Sequence, residues 1–292
     1  MRLLVTGTSG QLAQSLLELG IARGVDIVAL RRPQLDLTIP STIAVALADA
    51  RPDIVVSAAA YTAVDKAESE PELAHRVNGA GAGHVAAQCE RLGIPVVHVS
   101  TDYVFDGAKA APYVETDATG PINVYGRSKL AGEEAVASAC RRRIILRTSW
   151  VHSPFGTNFV RTMLRLAGTH KELRVVDDQA GCPTSALDLA DAIIRLAPQV
   201  ERASANAPIW GTYHATGSGE TTWCGFAREI FEVAAERGGS KPVVHGIATA
   251  DYPTPARRPA NSRLDCGKLE RTFGVALPDW RDSARVCVER LV

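Results

Sequence analysis

The feature that most constrains the fold lies at the start of the chain. The apolar run Arg2-Leu3-Leu4-Val5-Thr6 is followed by Gly7-Thr8-Ser9-Gly10-Gln11-Leu12-Ala13, and a helical pattern then runs through Leu16, Leu17 and Leu19 to Gly20. Strand, glycine-rich turn and helix in that order give a G-x-x-G-x-x-(G/A) motif its meaning. Gly7 permits a tight turn, Gly10 lets backbone amides approach a pyrophosphate, and Ala13 is small enough for close helix–strand packing. The helix N-terminus offers unpaired N–H groups and a favourable dipole to an anion, so Gly7, Gly10, Gln11 and Leu12 are candidate dinucleotide contacts. A plain strand-to-helix turn is the alternative.

The same alternation continues down the chain. Val25–Leu30 reads as a second strand, Pro52–Ser57 as a third, Ile94–Ser100 as a fourth and Arg143–Ser149 as a fifth. Strands separated by helical patterns predict a doubly wound α/β sheet of parallel strands, the Rossmann architecture. Residues at the C-terminal ends of such strands face the ligand crevice. That edge carries Ala58-Ala59-Ala60, small enough for a ligand to lie against the backbone, then Thr62, and after the fourth strand Thr101-Asp102-Tyr103. Ser69 and Glu72 have capping-box spacing before a long helix to about Leu92.

At the end of the second strand, NAD-selective sites usually place a carboxylate for the ribose 2′-hydroxyl. Arg31-Arg32 stand there instead, and Asp26 lies too early in the strand to substitute. A guanidinium suits a 2′-phosphate, so NADPH is the expected preference. NADH remains usable through the phosphate turn and Asp36-Leu37, which can reach the adenine end. Exposed arginines at a strand end are the bland alternative.

Tyr125 and Lys129, four residues apart in Asn123-Val124-Tyr125-Gly126-Arg127-Ser128-Lys129, share one face of the helix that continues through Ala135. An ammonium beside a phenol favours the phenolate and lowers its pKa, which suits a group that protonates a developing alkoxide. Alternatively, Lys129 pairs with Glu133 on a solvated face, a contact of about 0.3–0.5 kcal/mol.

After Trp150 the pattern loosens. A helix around Asn158–Leu166, a strand at Leu173–Val176, a loop at 177–184, a helix from Ser185 to Leu196 and a strand at Gly211–Ala215 are expected. The last two return to the main sheet. Residues 1–150, completed by parts of 185–216, then form the dinucleotide-binding domain, and 151–292 form mainly a smaller substrate-binding lobe. The proline-rich stretch 252–262 reads as a loop, and its Arg257-Arg258 pair suits phosphate recognition; a solvated basic loop is the alternative.

Zero formal net charge argues against a nucleic-acid surface. The six cysteines and seven histidines show no metal-ligand spacing and no disulfide framework. No apolar run approaches about 20 residues, the length that spans a bilayer. With a strand beginning at Arg2 and no signal-peptide pattern, a reduced cytoplasmic protein is expected.

Taken together, the chain resembles the extended short-chain dehydrogenase/reductases, and among them the dTDP-4-dehydrorhamnose reductase family. The resemblance rests on residues 6–12, 58–68, 100–107, 125–133, 147–150 and 257–262. It departs in Ala13 for a third glycine and Arg31 for an acidic residue. It implies NAD(P)H-dependent reduction of a dTDP-linked 4-keto sugar. Thr101 would then hydrogen-bond the carbonyl oxygen, Tyr125 protonate it, and Lys129 hold the nicotinamide ribose. Asp102, Trp150 and Asn158 would line the sugar pocket, Arg257 with the Pro183-Thr184 loop would hold the nucleotide diphosphate, and Asn261 would also bind substrate. No metal is implied, and a homodimer is one assembly the resemblance allows. Two rivals keep the fold: a non-catalytic NADP-binding regulatory subunit, and another nucleotide-sugar ketoreductase, epimerase or dehydratase. Intact Thr101, Tyr125 and Lys129 disfavour the first. Dehydratases follow the threonine with Asp-Glu, where this chain has Asp102-Tyr103.

Overall fold

The computed structural model describes residues 1–292. β1 (Arg2–Thr6) leads through the glycine turn into α1 (Gln11–Arg23), β2 (Asp26–Leu30), α2 (Pro40–Ala50) and β3 (Ile54–Ser57). Two short helices, α3 (Val64–Ala67) and α4 (Pro71–His75), run into a π-helical stretch at Arg76–Gly81 and then α5 (Ala82–Leu92). β4 (Val96–Thr101), α6 (Val124–Ala139) and β5 (Arg143–Thr148) follow.

The chain then builds β6 (Val151–His152), α7 (Phe159–Ala167), β7 (Glu172–Val176), β8 (Ala180–Gly181), β9 (Thr184–Ser185) and α8 (Ala186–Arg202). It ends with β10 (Gly211–His214), β11 (Thr221–Thr222), α9 (Trp223–Glu236), β12 (Val243–Ile247), α10 (Gly267–Phe273) and α11 (Trp280–Glu289).

Six strands form one parallel sheet in the order β10-β5-β4-β3-β1-β2. The order reverses between β1 and β3, where doubly wound sheets open their ligand crevice. Side chains along each strand alternate between two buried faces. Leu3, Val5, Ile54 and Val56 pack with α1 and α8, while Leu4 and Val55 pack with α2, α5 and α6. Burial on both faces explains why the strands read as continuous apolar runs. A separate core of Phe226, Phe231, Trp280 and neighbours joins α7, α9 and α11 to β7, which pairs in parallel with β12.

One local expectation is corrected. Ser69 and Glu72 form no capping box, because the Ser69 hydroxyl donates back to the Lys66 carbonyl (3.0 Å) and ends the preceding turn. Glu70 stands at the N-cap without a side-chain cap, ahead of Pro71. The helix reaches Leu92 as expected, but through the π-helical stretch. There the Asn78 side chain accepts from Tyr61 N (2.7 Å) and donates to Tyr61 O (3.0 Å) and Ser128 Oγ (2.9 Å). It ties the loop after β3 to α6.

Candidate active site

A cleft of about 1190 Å³ lies at the C-terminal ends of β1, β3, β4 and β5. Its floor is the first turn. Gly7 has φ +93°, which an L side chain rarely adopts, and its N–H donates to Leu30 O (2.6 Å). A Cβ built at Gly10 meets no protein atom within 4 Å, and α1 begins there without a side-chain cap. The first-turn N–H groups of a helix lack intrahelical partners, so an open anion cradle faces the cleft. Thr6 Oγ1 accepts from Ala58 N (3.0 Å) and Ala59 N (2.9 Å), holding β3's end beside the turn. A dinucleotide therefore fits: backbone N–H groups for the pyrophosphate, and small residues opposite.

All the residues read as cofactor contacts border this cleft: Gly7, Gly10, Gln11, Leu12, Arg31, Asp36, Leu37, Ala58, Ala59, Ala60, Thr62, Tyr125 and Lys129. No helix starts after Leu30; the chain turns, with Leu35 N bonded to Arg31 O (3.0 Å), and Arg31 and Arg32 stay exposed at the rim. Asp36 Oδ1 accepts from Thr38 N (2.8 Å) and Thr38 Oγ1 (2.7 Å). Those bonds, with Arg32 and Arg76 nearby, hold its carboxyl below the usual range. Arg76 also borders the cleft; the sequence reading overlooked it, since it lies far along the chain inside a helical pattern.

At the other end, β4 delivers Thr101 and Asp102, and α6 delivers Tyr125 and Lys129. Asn123 caps α6, its Oδ1 accepting from Gly126 N (2.7 Å) while its Nδ2 donates to Arg257 O (2.7 Å). The Thr101 hydroxyl donates to Asp102 Oδ1 (2.9 Å) and accepts from Tyr103 N (3.2 Å), and it lies at the same end of the cleft as Tyr125. Asp102 Oδ2 is buried without a partner, and burial lifts this carboxyl to about 6. Burial pushes the Tyr125 phenol up to about 12, with Asp102 adding to it. Lys129 is buried, donates to Val99 O (2.7 Å), and is drawn down to about 8 by burial, with Glu133 acting the other way.

The expectation that Lys129 lowers the tyrosine pKa is thus not met in this state: burial raises the phenol, and the ammonium is turned to the β4 backbone. Nor is Glu133 a solvated partner of Lys129. It is buried, and it binds Arg147 of β5 through Nη2 (2.7 Å).

Trp150 forms the far wall. Its backbone sits at φ 48°, unusual for a bulky residue, and its indole stacks on Trp223 with centroids 3.6 Å apart. A Cβ at Gly181 would meet the Trp150 ring at 2.4 Å, so only glycine leaves room there. Trp223 borders the cleft too and was not expected; it comes from a lobe helix that no motif marks.

The remaining substrate candidates, Asn158, Pro183, Thr184, Arg257 and Asn261, do not line the cleft itself. Asn158 caps α7, accepting from Arg161 N (3.2 Å) and donating to Gln11 Oε1 (2.9 Å). Thr184 is fully buried, donating to Cys182 O (3.2 Å) and accepting from Gly217 N (3.2 Å), and the adjoining Pro183 carbonyl abuts Gly217. Asn261 Nδ2 donates to Lys109 O (2.6 Å) and Ala111 O (3.0 Å). Thr184 and Asn261 thus serve backbone groups, which must be satisfied somewhere, and Asn158 ties the start of α7 to Gln11 of the phosphate turn. Arg258 is committed to Asp65 (2.8 Å), whereas the Arg257 side chain is exposed and unpaired. No group of three or more His, Cys, Asp or Glu side chains is placed to hold a metal ion, and no helix is long and apolar enough to cross a membrane.

Comparison with known proteins agrees with this architecture. Residues 1–292 match the family described as "RmlD substrate binding domain". A curated dTDP-4-dehydrorhamnose reductase of Sinorhizobium fredii is 56% identical over 292 residues, covering 100% of this chain and 98% of that protein. Its counterpart in Burkholderia thailandensis is 47% identical, with 100% and 99% covered. Among solved structures, a dTDP-4-dehydrorhamnose reductase of Bacillus anthracis in complex with NADP superposes with TM-score 0.91 at 35% identity, with 98% of each chain covered. Matched end to end in sequence and in backbone course, the chain belongs to the dTDP-4-dehydrorhamnose reductase family.

Proposed function

We propose that this protein reduces the C4 keto group of dTDP-4-dehydro-L-rhamnose to give dTDP-L-rhamnose, with NADPH as preferred reductant. The observation that carries the reading is the meeting of Thr101, Tyr125 and Lys129 at one end of a cleft whose other end is a dinucleotide turn. When bound, the nicotinamide supplies the hydride for C4. Thr101 holds the keto oxygen, and Tyr125 hands its phenolic proton to that oxygen as negative charge develops. A phenol held neutral at about 12 is loaded for donation at neutral pH. Lys129 compensates the phenolate that remains and holds the ribose. Asp102 accepts from a sugar hydroxyl through its unpartnered oxygen, and the stacked Trp150 and Trp223 cover the apolar face of the 6-deoxysugar. Arg257, the free arginine of its pair, reaches the nucleotide diphosphate.

In this reading residues 1–150, with α8 and β10, hold the dinucleotide, and 151–292 hold mainly the nucleotide sugar. All six cysteines are free, which suits the reducing cytoplasm where we place the reaction. The test is turnover of enzymatically prepared dTDP-4-dehydro-L-rhamnose with NADPH, with mass spectrometry and NMR of the product. Failure to form dTDP-L-rhamnose would overturn the assignment, and cofactor binding without turnover would favour a regulatory subunit.

A further inference from the structure

Behind the Tyr125–Lys129 pair lies a buried charged layer to which the reaction assigns no task. Glu133 sits one turn beyond Lys129 on α6. Its Oε1 accepts from Ser100 Oγ (2.5 Å) and Arg147 Nε (2.9 Å), and its Oε2 accepts from Arg147 Nη2 (2.7 Å). Both side chains of the ion pair are only 6% exposed. Ser100 and Arg147 stand opposite each other in the β4–β5 register, one residue short of Thr101 and Thr148 at the cleft edge. The layer is therefore pinned directly beneath the catalytic end of the sheet.

A buried ion pair is weak as a stability device, because apolar residues of similar volume commonly do as well. What lacks a partner here is Lys129. Its ammonium is buried with a single hydrogen bond, to Val99 O (2.7 Å), and it makes no direct ion pair. Burying a charge is costly unless an opposite charge compensates it. The charged and titratable groups around it are Tyr125 and Glu133 on its own helix, His98, Asp102 and Tyr103 on the β4 side, and Arg147 on β5. The helix packed across α6 presents Asn78, Gly79 and Ala82, which carry no charge.

We propose that Glu133, fixed by Ser100 and Arg147, is the positioning residue that keeps the Lys129 ammonium charged inside the cleft. This rests on the reductase reading for what the charge is used for. The direction agrees with the local electrostatics: burial draws Lys129 down to about 8, and Glu133 is the group opposing it. Without Glu133 the midpoint falls further and the amine is partly neutral at working pH. The tyrosinate left after proton transfer then loses its counter-charge.

The test uses the full-length protein in three forms: parent, Glu133→Gln, and Glu133→Gln combined with Arg147→Met. The double variant removes the uncompensated guanidinium that could unfold the single one. Without cofactor, Lys129 acetylation by limiting acetic anhydride is followed against pH by mass spectrometry. With cofactor and substrate, the alkaline limb of kcat/KM is recorded. Both variants should show the Lys129 midpoint and the alkaline limb lowered by about one pH unit or more, which makes acetylation at pH 7 roughly fivefold faster. Midpoints equal to the parent's in the double variant would overturn the proposal, reducing Glu133 to a neutraliser of Arg147. A Tyr125→Phe variant run alongside separates the readings: retained turnover there sinks the reductase mechanism and leaves the Lys129 titration standing.

Discussion

Gly126→Ala is the substitution for which packing and chemistry make opposite claims. Gly126 lies in the first turn of α6, between Tyr125 and Lys129, and faces the turn that carries Asp102 and Tyr103. A Cβ there would stand 2.2 Å from the Tyr103 carbonyl oxygen, 3.1 Å from its carbon and 3.0 Å from Pro121 Cβ. A carbon–oxygen contact needs about 3.3 Å, so helix and turn must separate by roughly 1 Å. Neither yields easily: α6 is pinned by Asn123 to Gly126 N and Arg257 O, and by Ser128 to Asn78.

Alanine gains up to about 1 kcal/mol in helix propensity, while overpacking costs about 1–3 kcal/mol. Net destabilisation should be modest, about 0–2 kcal/mol. Turnover should suffer far more, because the shift moves Tyr125 on the helix relative to Thr101 and Asp102 beside the turn, and misplacement by about 1 Å can cost about 10²-fold. Melting temperature and kcat measured on one preparation check this. A variant within threefold of the parent kcat would refute the claim that this backbone contact sets the spacing of the acid and its partner.

Four further outcomes are expected. Tyr125→Phe should bind NADPH nearly normally and lose kcat by about 10²–10⁴-fold, measured by fluorescence titration and steady-state assay. Arg31→Ala should cut the kcat/KM preference for NADPH over NADH by about tenfold or more, since one charge-assisted contact is worth about 1.5–3 kcal/mol; an unchanged ratio would assign the rim arginines to solvent. Arg257→Ala should raise KM for the nucleotide sugar and change kcat less, the pattern of uniform binding. Asp102, raised from 3.8 to about 6 by burial, is favoured protonated in the folded state. It therefore subtracts stability as pH rises from about 4 to 6, reaching about 3 kcal/mol at neutral pH. Relative to the parent, Asp102→Asn should gain stability over that window in denaturant melts and stay level below it; a gap that does not vary with pH would reject the buried-acid account.

The sheet was legible because parallel strands buried on both faces must be apolar runs, and the turns between them carry glycine. The Tyr125–Lys129 pair was legible because it is local, one helical turn on one face. Partners brought from afar were not. Glu133 reads as the natural i+4 mate of Lys129, yet Arg147 and Ser100, both from strands, claim it. Ser69 has the spacing of a cap but belongs to the turn before. Asn158, Thr184 and Asn261 are named through the family resemblance, and their bonds to Gln11, the Cys182 carbonyl and the Lys109 and Ala111 carbonyls come from distant or loop segments that no local pattern reveals. Trp223 carries no motif at all, since its meaning comes from stacking on Trp150.

The order of the sheet also bears on how the chain is made. β10 pairs with β5 only after some sixty intervening residues have built part of the lobe, and the core on that face draws on Leu3, Ile54, Leu146, Ile193, Tyr213, Phe273 and Leu277. A chain emerging from the ribosome therefore presents the glycine turn well before Phe273 and Leu277, which help close the core around it. Until then one apolar face of the sheet stays open, the kind of surface that holdase chaperones bind. The turn that cradles the cofactor and the residues that brace it from below thus come from opposite ends of the described fold.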